Sequence, residues 1–364
     1  MIRKEPIDKA KARRPFPLQL ATKFLSLPLL LASVVVAAGE APLTTIAIGS
    51  CADQEDEQPI WKAINKDEPD LFIFLGDNIY GDTEDMDVMR AKYEQLGSNP
   101  GFIELQQHAQ VIATWDDHDF GINDGGVEYS MKQASKDIFL DFWKEPADSP
   151  RRSQSTGIYT AYTYGPPGKR VQVILLDLRW NRTPLATVPT QEAYDERVAQ
   201  LMGPYIPVSD PNAVFLGEAQ WQWLEQQLQV PAQLRFIGSS QQVLPEFTGW
   251  EAWANFPRER ERLFALIGKA NGGQTFLLSG DTHWSEFSRV DDAVDYPLWE
   301  MTASGLTEEW KDVSPNRHRV GDFYNLANYG LIEIDWDAPA PVLTFRIKDV
   351  VGNTVLQQQL SLQP

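Results

Sequence analysis

Four short apolar runs in this sequence end in side chains that can hold a cation or move a proton. The first ends in Gly49-Ser50-Cys51, the second in Gly76-Asp77-Asn78-Ile79-Tyr80-Gly81-Asp82, the third in Trp115-Asp116-Asp117-His118-Asp119, and a later one in Gly280-Asp281-Thr282-His283. In open α/β sheets ligands sit at the carboxyl ends of strands. A thiol, a phenol, imidazoles and carboxylates at four such ends are therefore the pattern of a metal site. Singly, each has a plainer reading: Gly-Asp as a turn, Cys51 as a small buried hydrophobe, the 116–119 run as a solvated acidic turn, Tyr80 as a cap on the core. Their coincidence argues against the plain readings, because two of the four histidines, His118 and His283, fall at these ends beside aspartates. The other two, His108 in an apolar helix-like run and His318 in a basic loop, keep theirs. Several carboxylates in one pocket repel and stay ionised together only with cations among them. A thiolate and a phenolate point to a hard but thiophilic ion such as Fe3+, whereas carboxylates and carbonyls suit Ca2+, Mg2+ or Mn2+. Two ions sharing one carboxylate can activate a water and hold a phosphoryl group for in-line attack.

The elements that must present these groups alternate. Apolar runs at Leu43–Gly49, Leu71–Leu75 and Val111–Trp115 are separated by amphipathic segments at Gln58–Asn65 and Met86–Leu96 and followed by another at Tyr129–Trp143. That rhythm predicts βαβ units and a mainly parallel sheet. Gly157–Tyr164 and Arg170–Leu176, joined by Gly-Pro-Pro-Gly, predict a hairpin. Beyond a long loop at Asn181–Gly217 come a helix (Glu218–Leu228), a strand (Leu234–Ser239), a helix (Arg258–Ile267) and a strand (Gln274–Ser279), and the tail Tyr329–Leu362 predicts antiparallel strands. One α/β domain over residues 39–364, with two sheets, is the simplest fit.

Composition narrows the partners. With 32 basic against 51 acidic residues and a net charge of −19, the chain has no general affinity for nucleic-acid backbones or anionic lipid. Its single cysteine, Cys51, excludes an intramolecular disulfide and a zinc-finger framework. A basic stretch from Arg3 to Lys23 precedes the apolar run Phe24–Ala38, so residues 1–38 predict a signal peptide, and Arg13-Arg14-Pro15-Phe16 is similar to a twin-arginine signal. The expectation is recognition by export machinery, a periplasmic or secreted location, and no stable membrane span after cleavage. An uncleaved anchor and a chance arginine pair are the competing readings, and a lipobox ending at Cys51 is interrupted by Glu40 and Pro42.

Taken together, Gly49-Ser50-Cys51, GDNIYGD at 76–82, TWDDHD at 114–119 with Asn123-Asp124 following, Leu176-Asp177-Leu178-Arg179, LGEAQWQWLEQQL at 216–228, WEAWANFPR at 250–258 and SGDTHW at 279–284 resemble the alkaline phosphatase D (PhoD-like) family of calcineurin-like metallophosphatases. The resemblance spans most of residues 44–310. It implies a double-sheet αββα metallophosphatase sandwich with antiparallel strands at the C-terminus, and a bimetallic centre of Fe3+ and Ca2+, the second ion open to Mg2+ or Mn2+. By the same resemblance Cys51 and Tyr80 are iron ligands, Asp77 bridges both ions, Asp117 (or its neighbour Asp116) binds the second, and Asp281 and His283 complete the metal set. His118 matches the histidine that orients or protonates the leaving group, and Arg179 is a candidate phosphate clamp, with a surface ion pair as the alternative. Two departures stand out. The first strand begins too close to the leader for the amino-terminal β-domain of larger members, so substrate access is expected to differ. Gly238-Ser239-Ser240-Gln241-Gln242 also occupies the region where many metallophosphatases carry a further metal-binding histidine.

The function implied is an exported phosphomonoesterase or phosphodiesterase acting on small-molecule phosphate esters. The 181–217 loop and the aromatic run Trp299–Trp310 are the expected walls of its pocket. The alternative is a non-catalytic exported acidic protein that binds calcium or another metal, for which the composition is the motive.

Overall fold

The computed structural model describes residues 41–246 and 248–362; the leader expected at 1–38 lies outside the described residues. Two large sheets dominate. The first has six strands in the order Thr354–Ser361, Val342–Asp349, Asn328–Asp335, Thr45–Gly49, Leu71–Leu75, Gln110–Thr114. Its last three strands run parallel, as the βαβ reading requires, and the tail folds back as an antiparallel meander onto Thr45–Gly49. The second has seven strands in the order Arg319–Tyr324, Ser285–Val290, Leu298–Thr302, Gly272–Ser279, Ala232–Gly238, Val171–Leu175, Thr160–Tyr164. Four central strands are parallel and both flanks are antiparallel, including the expected hairpin.

Why two sheets and four layers form is visible in one strand. All five residues of Leu71–Leu75 are buried, but successive side chains leave opposite faces. Leu71, Ile73 and Leu75 join Ile46, Ile48, Val173, Phe236 and Leu278 in the core between the sheets. Phe72 and Phe74 pack outward against Trp61, Phe102 and Trp143 on the helices that follow each strand. Helices Glu218–Gln227 and Pro257–Ile267 cover the other sheet through Trp221, Leu224, Leu263 and Ile267. The order helix, sheet, sheet, helix is the expected αββα sandwich.

Five strands carry no expectation above: Ala186–Thr187 and Tyr205–Ile206, which pair within the expected 181–217 loop around helix Gln191–Val198, and Ser285–Val290, Leu298–Thr302 and Arg319–Tyr324 of the second sheet. One of them divides the supposed aromatic wall: Trp299 lies within a strand and packs against the core between the sheets, so only the later part of that run reaches the loops.

Candidate metal centre

The loops that follow the strand ends of both sheets interlock at one edge of the sandwich. Cys51 N–H donates to Gly76 O at 3.4 Å, Ala52 N–H to Asp77 O at 3.0 Å, and Leu306 and Thr307 N–H to Ser50 O and Cys51 O, both at 3.0 Å. Gly280 closes against the first sheet, where a Cβ would meet Ser50 Oγ at 2.3 Å, and Gly76, at φ +109°, leaves room for Asp116, whose Cβ would lie 2.6 Å away. Asn78 Nδ2 reaches Thr114 O at 2.9 Å, and Asp119 Oδ1 accepts Asp116 N–H at 2.7 Å, which caps the four-residue helix Asp117–Phe120. Cys51, Asp77, Asp281 and His283 all have positive φ, between 47° and 72°. Non-glycine residues adopt that region at a cost and persist in it when surrounding contacts over-determine them. Four of the anticipated ligands are thus held where the lacing is densest.

Their side chains converge. Ligand atoms of Cys51, Asp77 and His283 lie within 4.8 Å of one another, as do those of Asp77, Asp116, Asp117 and Asp281. Cys51 Sγ is 3.4 Å from Asp77 Oδ2, and Tyr80 Oη is 3.2 Å from His283 Nε2. All six anticipated metal residues therefore gather around Asp77, which belongs to both groups, and Asp116 and Asp117 both face the second. His118 stands beside them, its ring 4.2 Å from that of Tyr80 and its Nδ1 2.7 Å from Asp82 Oδ2. His108 is exposed at a helix end, and His318 lies 3.5 Å from Glu246.

Arg179 does not face this space. It is fully buried behind it, paired with Asp116, 3.3 Å from Asp117, and forked onto both oxygens of Glu251. Arg182 joins Glu251 at 3.2 Å. A further acidic group of Asp117, Asp124 and Glu251 lies here, and Tyr205 from the long loop hydrogen-bonds to Asp124. Glu251, Asp124 and Asp82 are not among the expected site residues. The signal was present for all three, since they fall within the motifs at 250–258, 114–124 and 76–82.

Charge explains what such a site requires. Burial pushes the Cys51 thiol up to about 12, with its hydrogen bonding to Ser304 and Ser50 opposing this and the charge of Asp281 adding to it. Burial also raises Tyr80, Asp77 and Asp281 well above their ordinary values, helped by neighbouring carboxylates. His283 is lowered to about 4 by burial and then by His118. For His118 burial is outweighed by Asp77, Asp117 and Asp82, and the group rises to about 10. Asp117 falls below the usual carboxylate range because Arg179 and His118 outweigh its burial. Meanwhile Asp77 Oδ1 and Asp116 Oδ2 are buried with no hydrogen-bond partner, and Asp117 Oδ1 has only the Arg179 guanidinium 3.3 Å away. Buried polar atoms are rarely left unpaired, and like charges this close need a counter-charge. Orphaned oxygens around Asp77, with a thiol, phenol and imidazole on one side and carboxylates on the other, fit two cations of unlike character.

A family model described as PhoD-like phosphatase matches residues 46–325. Alkaline phosphatase D of Bacillus subtilis (strain 168) is 24% identical over 292 residues, covering 69% of this chain and 48% of that protein, so the chain spans about half the length of this curated relative. Among solved structures, one titled Structure of PhoD superposes with a TM-score of 0.63 at 18% identity, over 89% of this chain and 69% of that one. GAP50, titled the anchor in the inner membrane complex of Plasmodium, superposes with a TM-score of 0.55 at 10% identity, over 89% and 90%. At these identities the superpositions establish the fold alone.

Proposed function

Because this chain belongs to the PhoD-like phosphatase family, we propose that it is an exported metal-dependent phosphoric ester hydrolase. The observation that carries the reading is the position of Asp77, shared by two donor groups of different chemistry. Cys51, Asp77, Tyr80 and His283 would hold Fe3+, and Asp77, Asp116, Asp117 and Asp281 would hold Ca2+, or Mg2+ or Mn2+ in its place. Bound there, the cations supply Lewis-acid polarisation of phosphoryl oxygens and acidify a water. The chain's own residues do the rest. His118, backed by Asp82, is placed to deliver a proton to the departing alcohol oxygen. Arg179 acts behind the site, keeping Asp116, Asp117 and Glu251 in register rather than touching phosphate. On the open side Trp310, 37% exposed, lies 6.2 Å from the His283 ring and 5.5 Å from Trp250, ring centre to ring centre, and forms a wall for the ester's organic group.

Among the described residues no helix is long and apolar enough to cross a membrane. The export reading rests on the leader sequence, and mass measurement of the native protein will show loss of about 38 residues when the signal is cleaved.

Two p-nitrophenyl substrates test the activity. The metal-loaded protein will release nitrophenolate from the phosphate monoester, from its bis-ester, or from both, and chelation will stop it. Loaded protein inert to both overturns the reading in favour of a binding protein. His118→Asn is expected to slow hydrolysis of alkyl phosphates about 10²–10⁴-fold, the range of general acid catalysis. Nitrophenyl esters will slow much less, because nitrophenolate departs without a proton. Metal content should hold when His118 acts as the acid; loss of metal with equal slowing of both substrates would instead make His118, which groups with Asp77 and Asp117, a ligand.

A further inference from the structure

We infer that Ser304 is a positioning residue for the thiolate, its hydroxyl proton committed to Cys51 Sγ. Ser304 is fully buried two residues beyond strand Leu298–Thr302, and its Oγ lies 3.2 Å from Cys51 Sγ. The direction of that bond follows from the ligand state, because a thiolate has no proton to give and the serine hydroxyl has one. Ser304 Oγ already accepts the His283 N–H at 2.9 Å. A serine hydroxyl has one proton to give, and this one has sulfur in reach. Ser50, the other hydroxyl beside the sulfur, has its proton directed to Ala303 O at 3.4 Å, which leaves Ser304 as the hydroxyl committed to the thiolate. The support behind Ser304 is equally directional: its own N–H donates to Ser285 Oγ at 3.2 Å, Ser285 donates to Asn328 Oδ1, and Asn328 N–H donates to Gly305 O at 2.7 Å. Ser285 and Asn328 are both fully buried. One side chain thus ties a ligand residue of the first sheet, Cys51, to one of the second, His283, both in left-handed backbone.

A hydrogen bond to sulfur withdraws charge from it, weakens its donation to a bound cation and so tunes that cation's electronics. The inference rests on the proposal that Cys51 ligates iron and deepens it. Its test uses the full-length protein loaded with ferric iron, and the sulfur contribution to the absorption is defined as the part lost in Cys51→Ser. In Ser304→Ala that contribution should move to longer wavelength, with iron content retained, and Ser304→Thr should restore it. In the unaltered protein the iron–sulfur stretch should shift on transfer to D2O, a readout that does not depend on any variant folding. An unmoved band in Ser304→Ala, or no isotope shift, overturns the inference while leaving Cys51 a ligand. A spectrum unchanged in Cys51→Ser overturns the ligand assignment and this inference with it. Iron-loaded protein that shows both shifts but hydrolyses no phosphoester supports the inference and refutes only the activity.

Discussion

Asp77→Asn is expected to cost the protein both cations and to lower phosphoester hydrolysis by more than the roughly 10²–10³-fold that loss of one electrostatic contact costs an active site. The reason is the position of one carboxylate. Among the described residues Asp77 alone belongs both to the group with Cys51 and His283 and to the group with Asp116, Asp117 and Asp281, so no other single change touches both sides of the site. Asparagine is the informative replacement. It keeps the shape of the side chain and tolerates the backbone φ of 47° that Asp77 adopts, which leaves local strain unchanged. The metal-free protein gives the control. Burial and the nearby Cys51 and Asp117 hold Asp77 far above the carboxylate range, so its charge is unfavourable where it stands. A carboxyl raised in this way favours folding while protonated and opposes it as pH rises. Asp77→Asn without metal should therefore melt at or above the parent temperature at neutral pH, while the stabilisation that metal adds to the parent disappears. Metal analysis, melting with and without added ions, and nitrophenyl phosphate turnover check this; a variant that retains both ions and its rate would remove Asp77 from the centre.

The convergence of these donor groups was legible because short apolar strands that end in Gly-Asp or Gly-Ser-Cys declare both their direction and where their loops begin. Leu71–Leu75 and Gln274–Ser279 are read easily, and the groups that follow them needed only the rule that parallel strands deliver side chains at one edge. The second sheet's missing strands show where this fails. Ser285, Glu286 and Ser288 are fully buried, with Glu286 satisfied by Gln242, Asn316 and Arg319, so the segment looks polar and loop-like although it is interior. Alternation cannot report a buried face built from polar groups, because the partners that pay for their desolvation come from distant segments. Glu251 is a similar case: only tertiary contact joins it to Arg179, 72 residues away. The role of Ser304 also needed structure, since it depends on which neighbour uses its single proton.

Arg179 is the sharpest instance, and it yields the second large effect. A sequence can place an arginine just after a strand that leads to the site, but not the direction in which its guanidinium points. Here it points inward, with no exposed surface, against Asp116, Asp117 and both oxygens of Glu251. A buried charge pair contributes little net stability, yet breaking one from a single side costs about 3–5 kcal/mol, because the remaining charge has no solvent. Arg179→Ala strands Asp116 and Asp117 and leaves Glu251 only Arg182 as a counter-charge, so the variant should sit at the upper end of that range in denaturant unfolding. Asp117, kept ionised chiefly by Arg179, should then rise toward protonation and cease to be a ready ligand. Arg179→Lys separates support from clamp. Lysine keeps the charge but cannot fork onto Glu251 while also reaching Asp116, so it should lose stability and affinity for the second cation together, with KM for the ester following only through metal loss. If Arg179→Lys instead melts with the parent, keeps both metals and shows a raised KM alone, the guanidinium does contact phosphate, and the buried network described here must open when substrate binds.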